Sequence, residues 1–538
     1  MMKNTIFKKI TLLATAVLAV QCTGDFENEN TNPYGISEES LTQDFNDIGA
    51  SIPNITRMIV NTTNYRYQIA QNLCSDSWAG YLAPPTPFAG GANNTTYRMT
   101  WRDHTWLSTY ESIMSPAKQV IDKAEAQGRE QFVAWTKLIR IYGMQRLASL
   151  HGPVIYSQYG LSATTSQYDS EEVLYNRFFT ELDEIQAVLK QYATGFEGFA
   201  KFDAAYGGNV SKWLRLSNTL RLQLAMRIVK VAPALTQAQA EKAFADSYGL
   251  ITTNADNFNV DLGGEVHPLY TIGESWGDTR MSATMESFLV GYKDPRVGAF
   301  FSPVSDDVAA ELVSDHPDFP YKGIKNGATL VAKDLRTSYS KVGAFFTTTK
   351  HHTLVNAAMV NFMLSEAALR GWNVGGTPKD YYEQGVKLSF EQWGVSGADA
   401  YLADSSLTPI GYTDPKAAAG VNAFAAQTNI TIAWNDSDVN EKKLERIMTQ
   451  KWIAGFPDSY EAWADFRRTG YPAVEPVYQN DSNSTDGIIP AGGHIRRMSF
   501  VLSEYDSNLG GVTDAVQKLG GEDKISTRLW WDVDAPNF

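Results

Sequence analysis

Apolar residues recur along much of this chain at spacings of three or four, the period of a helix with one buried face. Residues 213–231, WLRLSNTLRLQLAMRIVKV, put Trp213, Leu216, Leu220, Leu224, Ile228 and Val231 on one stripe, and Arg215, Arg221 and Arg227 rule the stretch out as a membrane span. Residues 132–150 place Trp135, Leu138, Ile139 and Tyr142 on one side, and Gly152-Pro153 follows as a stop signal. The same period predicts helices over 176–192, 357–372, 380–395 and 438–456. The last opens on a capping-box pattern from Asp438 to Glu441 and turns Leu444, Ile447, Met448 and Trp452 to the core. Between the helices lie Gly/Asn/Asp-rich loops at 251–280, 301–350 and 396–437, and strand-like alternation is thin. The predicted fold class is mainly α with little β. Helix pairs with short turns suggest tetratricopeptide-like hairpins, although no clean repeat of about 34 residues is present.

The front of the chain breaks the pattern. Lys3, Lys8 and Lys9 precede an apolar run of eleven residues, Ile10 to Val20. A bilayer span needs about 20 apolar residues, so the run reads as the h-region of a secretory signal peptide over 1–21. Cys22 stands where a bacterial lipobox places its lipidated cysteine, with Gln21 where Gly or Ala is usual. Lipidation at Cys22 anchors a chain to a membrane without spanning it. The polar run to Ser37 reads as a flexible tether over 22–37. No Gly/Ser or Pro-rich linker divides the rest, so 38–538 is read as one large unit.

Hydrophobic residues make up 43% and charged residues 20%, an ordinary globular balance. The net charge of −14 becomes −17 once the signal peptide removes three lysines. That excludes nucleic acid and anionic lipid surfaces as partners, since both require basic patches. With Cys22 lipidated, only Cys74 remains, so no internal disulfide forms and Cys74 reads as a small buried hydrophobe.

Catalytic and metal motifs are absent. There is no G-x-S-x-G elbow, no H-E-x-x-H and no phosphate-binding glycine loop. The adjacent His351 and His352 point different ways on any regular element and make no ready chelate. Two acidic stretches fail as EF-hand loops. One beginning at Asp436 has Glu441 at its sixth position and Ile447 at its twelfth; the other, beginning at Asp481, has Asp486 and Gly492 there. No cofactor is predicted, and Ca²⁺ enters only as an adventitious ion. The spacing of carboxylates in sequence says nothing about their spacing in space, so a surface hydrolase or a structural scaffold stays behind a binding protein as a lesser reading.

The clue to binding is residues 75–101, SDSWAGYLAPPTPFAGGANNTTYRMTW. The stretch is a loop punctuated by Pro and Gly, yet it carries Trp78, Tyr81, Phe88, Tyr97 and Trp101 among Asp76, Asn93, Asn94 and Arg102. A sugar stacks its C–H face on an aromatic ring and pairs its hydroxyls with Asp, Asn or Arg. Residues 265–281 repeat the mixture, with His267, Tyr270, Trp276, Asp278 and Arg280. The candidate ligand-binding residues are therefore Asp76, Trp78, Tyr81, Phe88, Asn94, Tyr97, Trp101, His267, Tyr270, Trp276 and Arg280. The same aromatics would equally plug a loop onto the body, and Trp78 and Trp276 each fit either role.

Seven motifs in order carry a family resemblance: TNPYGIS (31–37), YGGNVSKWLRLSNTLRLQLAMRI (206–228), GYKDPRVGAFFSP (291–303), FMLSEAALRGW (362–372), TQKWIAGFPDSYEAWADFRRTGYP (449–472), RRMSF (496–500) and STRLWWD (526–532). From Cys22 to the C-terminus the chain resembles the SusD/RagB family of nutrient-binding outer-membrane lipoproteins of Bacteroidetes, and within it the second SusD-like subfamily. Asp25, Glu27 and Glu29 behind Cys22 resemble the surface-export signal of such lipoproteins. The resemblance implies four tetratricopeptide-type helix pairs bearing ligand-binding loops. It implies a cell-surface lipoprotein, anchored to the outer membrane, that captures a nutrient and acts as a lid on a SusC-like TonB-dependent transporter, with no chemistry of its own. Within the family motifs, Trp452, Trp463, Arg467, Arg468, Trp530 and Trp531 are read as scaffold. Oligosaccharide is the expected ligand. Oligopeptide is the alternative, with Arg280 available for its carboxylate.

Overall fold

The computed structural model describes residues 42–538 apart from 87, 89–90, 163–164, 306–316, 329–332, 415 and 419. The signal peptide, Cys22 and the tether lie outside the described residues.

Helical hairpins form the body. Helices α1 (Ser115–Ala126) and α2 (Glu130–His151) pack as a pair, α3 (Glu171–Leu189) lies against α2, and α4 (Val210–Arg227) pairs with α5 (Pro233–Ala245). Further on, α6 (Ala357–Leu369) pairs with α7 (Pro378–Gln392), and α8 (Asn440–Gly455) with α9 (Ser459–Thr469). Each predicted helix is present within a few residues of its expected bounds. Their starts follow capping chemistry. The side chains of Ser170, Asn209, Asn356 and Thr377 accept from backbone N–H groups at the starts of α3, α4, α6 and α7. The start of α8 differs from expectation: Asp438 makes no cap. Its carboxylate is taken instead by Arg446, 2.8 Å away and eight residues on, because a buried guanidinium requires a charged partner more than a helix end requires a cap.

Among the described residues, β structure is limited to two two-stranded antiparallel pairs and isolated bridges. Strand β1 (Leu82–Ala83) pairs with β3 (Arg280–Met281), and β2 (Phe258–Asp261) with β4 (His351–Val355). On β4, His351 and His352 alternate in burial as successive strand residues must.

One apolar cluster runs from Ile48 to Trp531. The hairpin faces meet through rings such as Trp135 and Trp213, with centroids 5.6 Å apart at 74°. Trp452, Trp463 and Trp531 are buried, and Trp530 is partly so. Arg467 stacks between Trp463 and Trp531, at 3.5 and 4.8 Å, and donates to the carbonyls of Ser149 and Arg496. Arg468 closes both nitrogens on the Glu366 carboxylate at 2.7 Å. Cys74 is a buried free thiol, and burial pushes it up to about 12.

Candidate functional site

The fold brings the two aromatic stretches together. In the β1–β3 pair, Leu82 lies opposite Met281 and Ala83 opposite Arg280. The pair is antiparallel, so the chain leaving Ala83 toward Phe88 and the chain arriving at Arg280 from Trp276 emerge from the same end of the ribbon. Two further bonds fasten this end to the π-helical turn Gln68–Asp76: Asn72 Nδ2 donates to Thr279 Oγ1 at 3.2 Å, and Gln68 Nε2 to Asp278 Oδ2 at 3.1 Å.

Seven of the eleven candidate residues are buried behind this surface, and for these the structure corrects the sequence reading. Trp78 donates its indole N–H to the Asn94 carbonyl at 2.9 Å and packs on Trp463, centroids 4.7 Å apart. Tyr81 donates to the Trp452 carbonyl and contacts the rings of Trp452 and Phe456. Asp76 accepts from Gln71 and Asn72, and burial pushes its carboxyl up to about 6. Asn94 donates to Cys74 Sγ and accepts from the Thr100 N–H. Tyr97 is buried on a left-handed backbone, φ 70°. These residues plug the loop onto the body. A loop whose backbone lies this deep must satisfy its polar groups internally, and that is what the Asn and Asp side chains do.

In the second stretch, His267 Nδ1 accepts from the Leu269 N–H, and its Nε2 meets His352 Nδ1 at 2.9 Å. The Leu269 bond fixes the tautomer: His267 Nε2 carries the proton and donates it to His352. Burial, with His351 nearby, takes His267 down to about 3, so the pair is neutral. Arg280 is buried and donates to the carbonyls of Gly273, Thr279 and Arg336, tying the 273–280 loop to the 336 segment. Burial, then Arg336, lowers it to about 10. With Nε and Nη1 on carbonyls it serves as a brace for the surface.

Four candidates keep access to solvent. Phe88 and Trp101 are half-buried and meet edge to face at 5.9 Å. Tyr270 is half-buried, and Trp276 is 37% exposed. The π-helical turn Thr271–Ser275 presents Trp276, whose N–H donates to the Thr271 carbonyl at 2.9 Å. The next residue has to be glycine. Gly277 has φ +68°, and a Cβ there would stand 2.5 Å from Arg336 Nε. Two more aromatics keep access to solvent and lie outside the two stretches singled out in the sequence: Phe345, 37% exposed, and the half-buried Trp393 against it. Their only trace was the doublet Phe345-Phe346 in a threonine-rich run, of which one ring turns inward and the other out.

This arrangement offers flat rings held on fixed turns, edged with amide and charged groups. It is suited to stacking and hydrogen bonding. Among the described residues, no group of three or more His, Cys, Asp or Glu is placed to hold a metal ion. No described helix is long and apolar enough to cross a membrane.

Comparison with known proteins gives concordant findings. The family described as SusD-like, Susd and RagB outer membrane lipoprotein, matches residues 28–532. A chitin-binding SusD homologue from Flavobacterium johnsoniae is 42% identical, with a TM-score of 0.85 over 91% of this chain and 100% of its own. A SusD homologue from Bacteroides uniformis is 35% identical, with a TM-score of 0.80 over 91% and 99%. A SusD-like protein from Bacteroides thetaiotaomicron is 34% identical, with a TM-score of 0.82 over 90% and 98%. No curated protein matches the chain.

Proposed function

The chain belongs to the SusD-like family of outer-membrane lipoproteins, and on that premise we propose that it is a cell-surface glycan-binding lipoprotein that captures an oligosaccharide and acts as a lid on a SusC-like TonB-dependent transporter. Trp276 carries the binding part of this reading. Its exposed ring stands on a rigid π-turn, in a stretch that leaves the same end of the β1–β3 ribbon as the one carrying the partly exposed Phe88 and Trp101, and such rings stack on the C–H face of a sugar. The chitin-binding relative, 42% identical, favours an oligomer of the chitin type. An oligopeptide is less well served, because Arg280, the cation set aside for its carboxylate, is buried and spends its Nε and Nη1 on three backbone carbonyls. The lid mechanism needs binding and a hinge, with no bond made or broken.

Calorimetric titration of chitin oligosaccharides into the wild-type protein and into Trp276→Ala tests the binding site. The variant is expected to bind about tenfold more weakly, ~1.4 kcal/mol, with its melting temperature nearly unchanged. Equal affinity in both proteins would remove Trp276 from the site. The lid is tested by gentle detergent extraction of the native lipidated protein. A TonB-dependent barrel is expected to co-purify in near-equal amount, and elution of the protein alone would sink the lid.

A further inference from the structure

We propose that Asp76 and Asn72 are positioning residues for the ligand loop: the buried Asp76 carboxylate holds the Asn72 amide, and that amide holds the loop that presents Trp276. The inference rests on the glycan-binding reading above and gives its platform an internal support.

The support is a ladder of polar side chains in the core. Gln68, Asn72 and Asp76 stand four apart on the π-helical stretch Gln68–Asp76, and none is more than 5% exposed. Gln68 Nε2 donates to Asp278 Oδ2 at 3.1 Å, and Asn72 Nδ2 to Thr279 Oγ1 at 3.2 Å. Asn72 Nδ2 also donates to Asp76 Oδ2 at 3.1 Å, so one amide is shared between the carboxylate and the loop. The loop passes the constraint on. The Asp278 N–H donates to the Ile272 carbonyl at 2.8 Å, and the Trp276 N–H to the Thr271 carbonyl at 2.9 Å. The other carboxylate oxygen, Asp76 Oδ1, accepts from Gln71 Nε2 at 3.2 Å, and Gln71 Nε2 donates to the Tyr67 hydroxyl at 2.8 Å.

An ionised carboxylate in this place weakens the fold. Burial raises Asp76 to about 6; bonds from Ser459, Asn72 and Gln71 oppose the rise, and Asp458 adds to it. The folded value exceeds the unfolded one. The stability tied to Asp76 is therefore present below a pH of about 4 and is lost as pH rises through about 6. A group that weakens the fold when ionised, yet bonds toward a ligand surface, fits a functional role better than a structural one. Of the titratable groups around it, Tyr67 before the stretch, Cys74 within it, Tyr81 after it and Tyr460 on α9 are all pushed up by burial and stay neutral. Asp458, ahead of α9, is also raised by burial, and both its oxygens accept from Arg146 at 2.9 Å. Ionised, Asp76 gives Asn72 a charge-assisted bond; protonated, it gives a neutral one of about half the strength. The loop is then held less firmly, and glycan affinity is expected to fall as pH drops through about 6.

The test is calorimetry with chitin oligosaccharides, whose neutral sugars do not titrate, at a pH of about 7.5 and of about 5, with urea midpoints beside it. The wild type is expected to bind about fivefold more weakly at the lower pH. Asp76→Asn should bind about fivefold more weakly than the wild type at the higher pH, without pH dependence, and with a urea midpoint there that is equal or higher. A purely structural Asp76 would lose stability and affinity together. Thr279→Val leaves Asp76 in place and cuts its link to the loop, so affinity should lose its pH dependence while the urea midpoint keeps its own. Hydrogen exchange on the ligand-free protein reads the same support without a glycan: Asp76→Asn should exchange faster over residues 271–280 at fixed pH. Wild-type affinity in both variants, or unchanged exchange in Asp76→Asn, overturns the positioning role and leaves the Trp276 site standing. If the wild type binds no oligomer while exchange in Asp76→Asn rises, the glycan reading fails and the support of the loop stands without it.

Discussion

Trp78→Ala is expected to lower the unfolding free energy by about 3–5 kcal/mol while leaving the glycan affinity of the folded protein unchanged. Trp78 is only 4% exposed, and its indole bonds the Asn94 carbonyl across the base of the 75–101 loop. Its ring packs against Trp463, which is fully buried and itself lies under the Arg467 guanidinium. Truncation would open a cavity between rings that have no room to collapse into it. It would also leave the Asn94 carbonyl without this donor. A denaturant midpoint, measured beside a titration with chitin oligomers, separates the two roles. A small stability loss together with lost binding would return Trp78 to the ligand surface.

Glu366→Ala is expected to cost a similar amount, about 3–5 kcal/mol, for an electrostatic reason. Glu366 is completely buried on α6 and accepts both nitrogens of Arg468 at 2.7 Å, with Arg370 adding bonds at 2.8 and 3.1 Å. Burial alone would raise this carboxyl. Arg468 and then Arg370 more than offset it and hold it down at about 2. Removing the carboxylate leaves the guanidinium of Arg468, 1% exposed, without its bidentate partner in the core. The double variant Glu366→Leu with Arg468→Met should recover part of the loss, since it removes the two fully buried charges and keeps the volume, while Arg370, 10% exposed, retains the Asn537 carbonyl. Because the folded value lies below the unfolded one, the stability from Glu366 is fully present above pH of about 4.5 and is lost as pH falls through about 2. Urea midpoints across that acid range should show the wild type losing stability faster than the double variant. Matching slopes would mean that the ion pair contributes nothing to stability.

The helices were legible from apolar residues recurring at helical spacing, but their depth was not: α2 is buried all round except at Glu130, Lys137 and Arg140, α4 except at Ser211, Lys212 and Arg215, and α8 throughout Arg446 to Gly455. The scaffold roles of Trp463, Arg467 and Arg468 were legible through the family motif that contains them. The cap at Asp438 was misjudged because Arg446, eight residues away, competes for the same carboxylate. That competition depends on how deeply Arg446 is buried, which periodicity does not encode.

The binding surface was legible only in outline. Both aromatic stretches were identified, yet nothing local shows that Ala83 pairs with Arg280. Residue type alone does not separate Trp78 from Trp276. Both are tryptophans in Gly-flanked loops among polar neighbours, and a sugar platform and a loop plug need the same chemistry: a flat apolar face with hydrogen-bonding groups at its edge. By itself, then, the sequence determined a mainly helical chain, its family and the two loops in which to seek a site. Only the tertiary structure decided which rings face water, turning Trp78, Tyr81 and Tyr97 inward and leaving Trp276 and Phe345 outside. The reason is that burial in an irregular loop follows from contacts with distant segments, such as Trp463 beneath Trp78 and Arg336 against Gly277, and no local period records them.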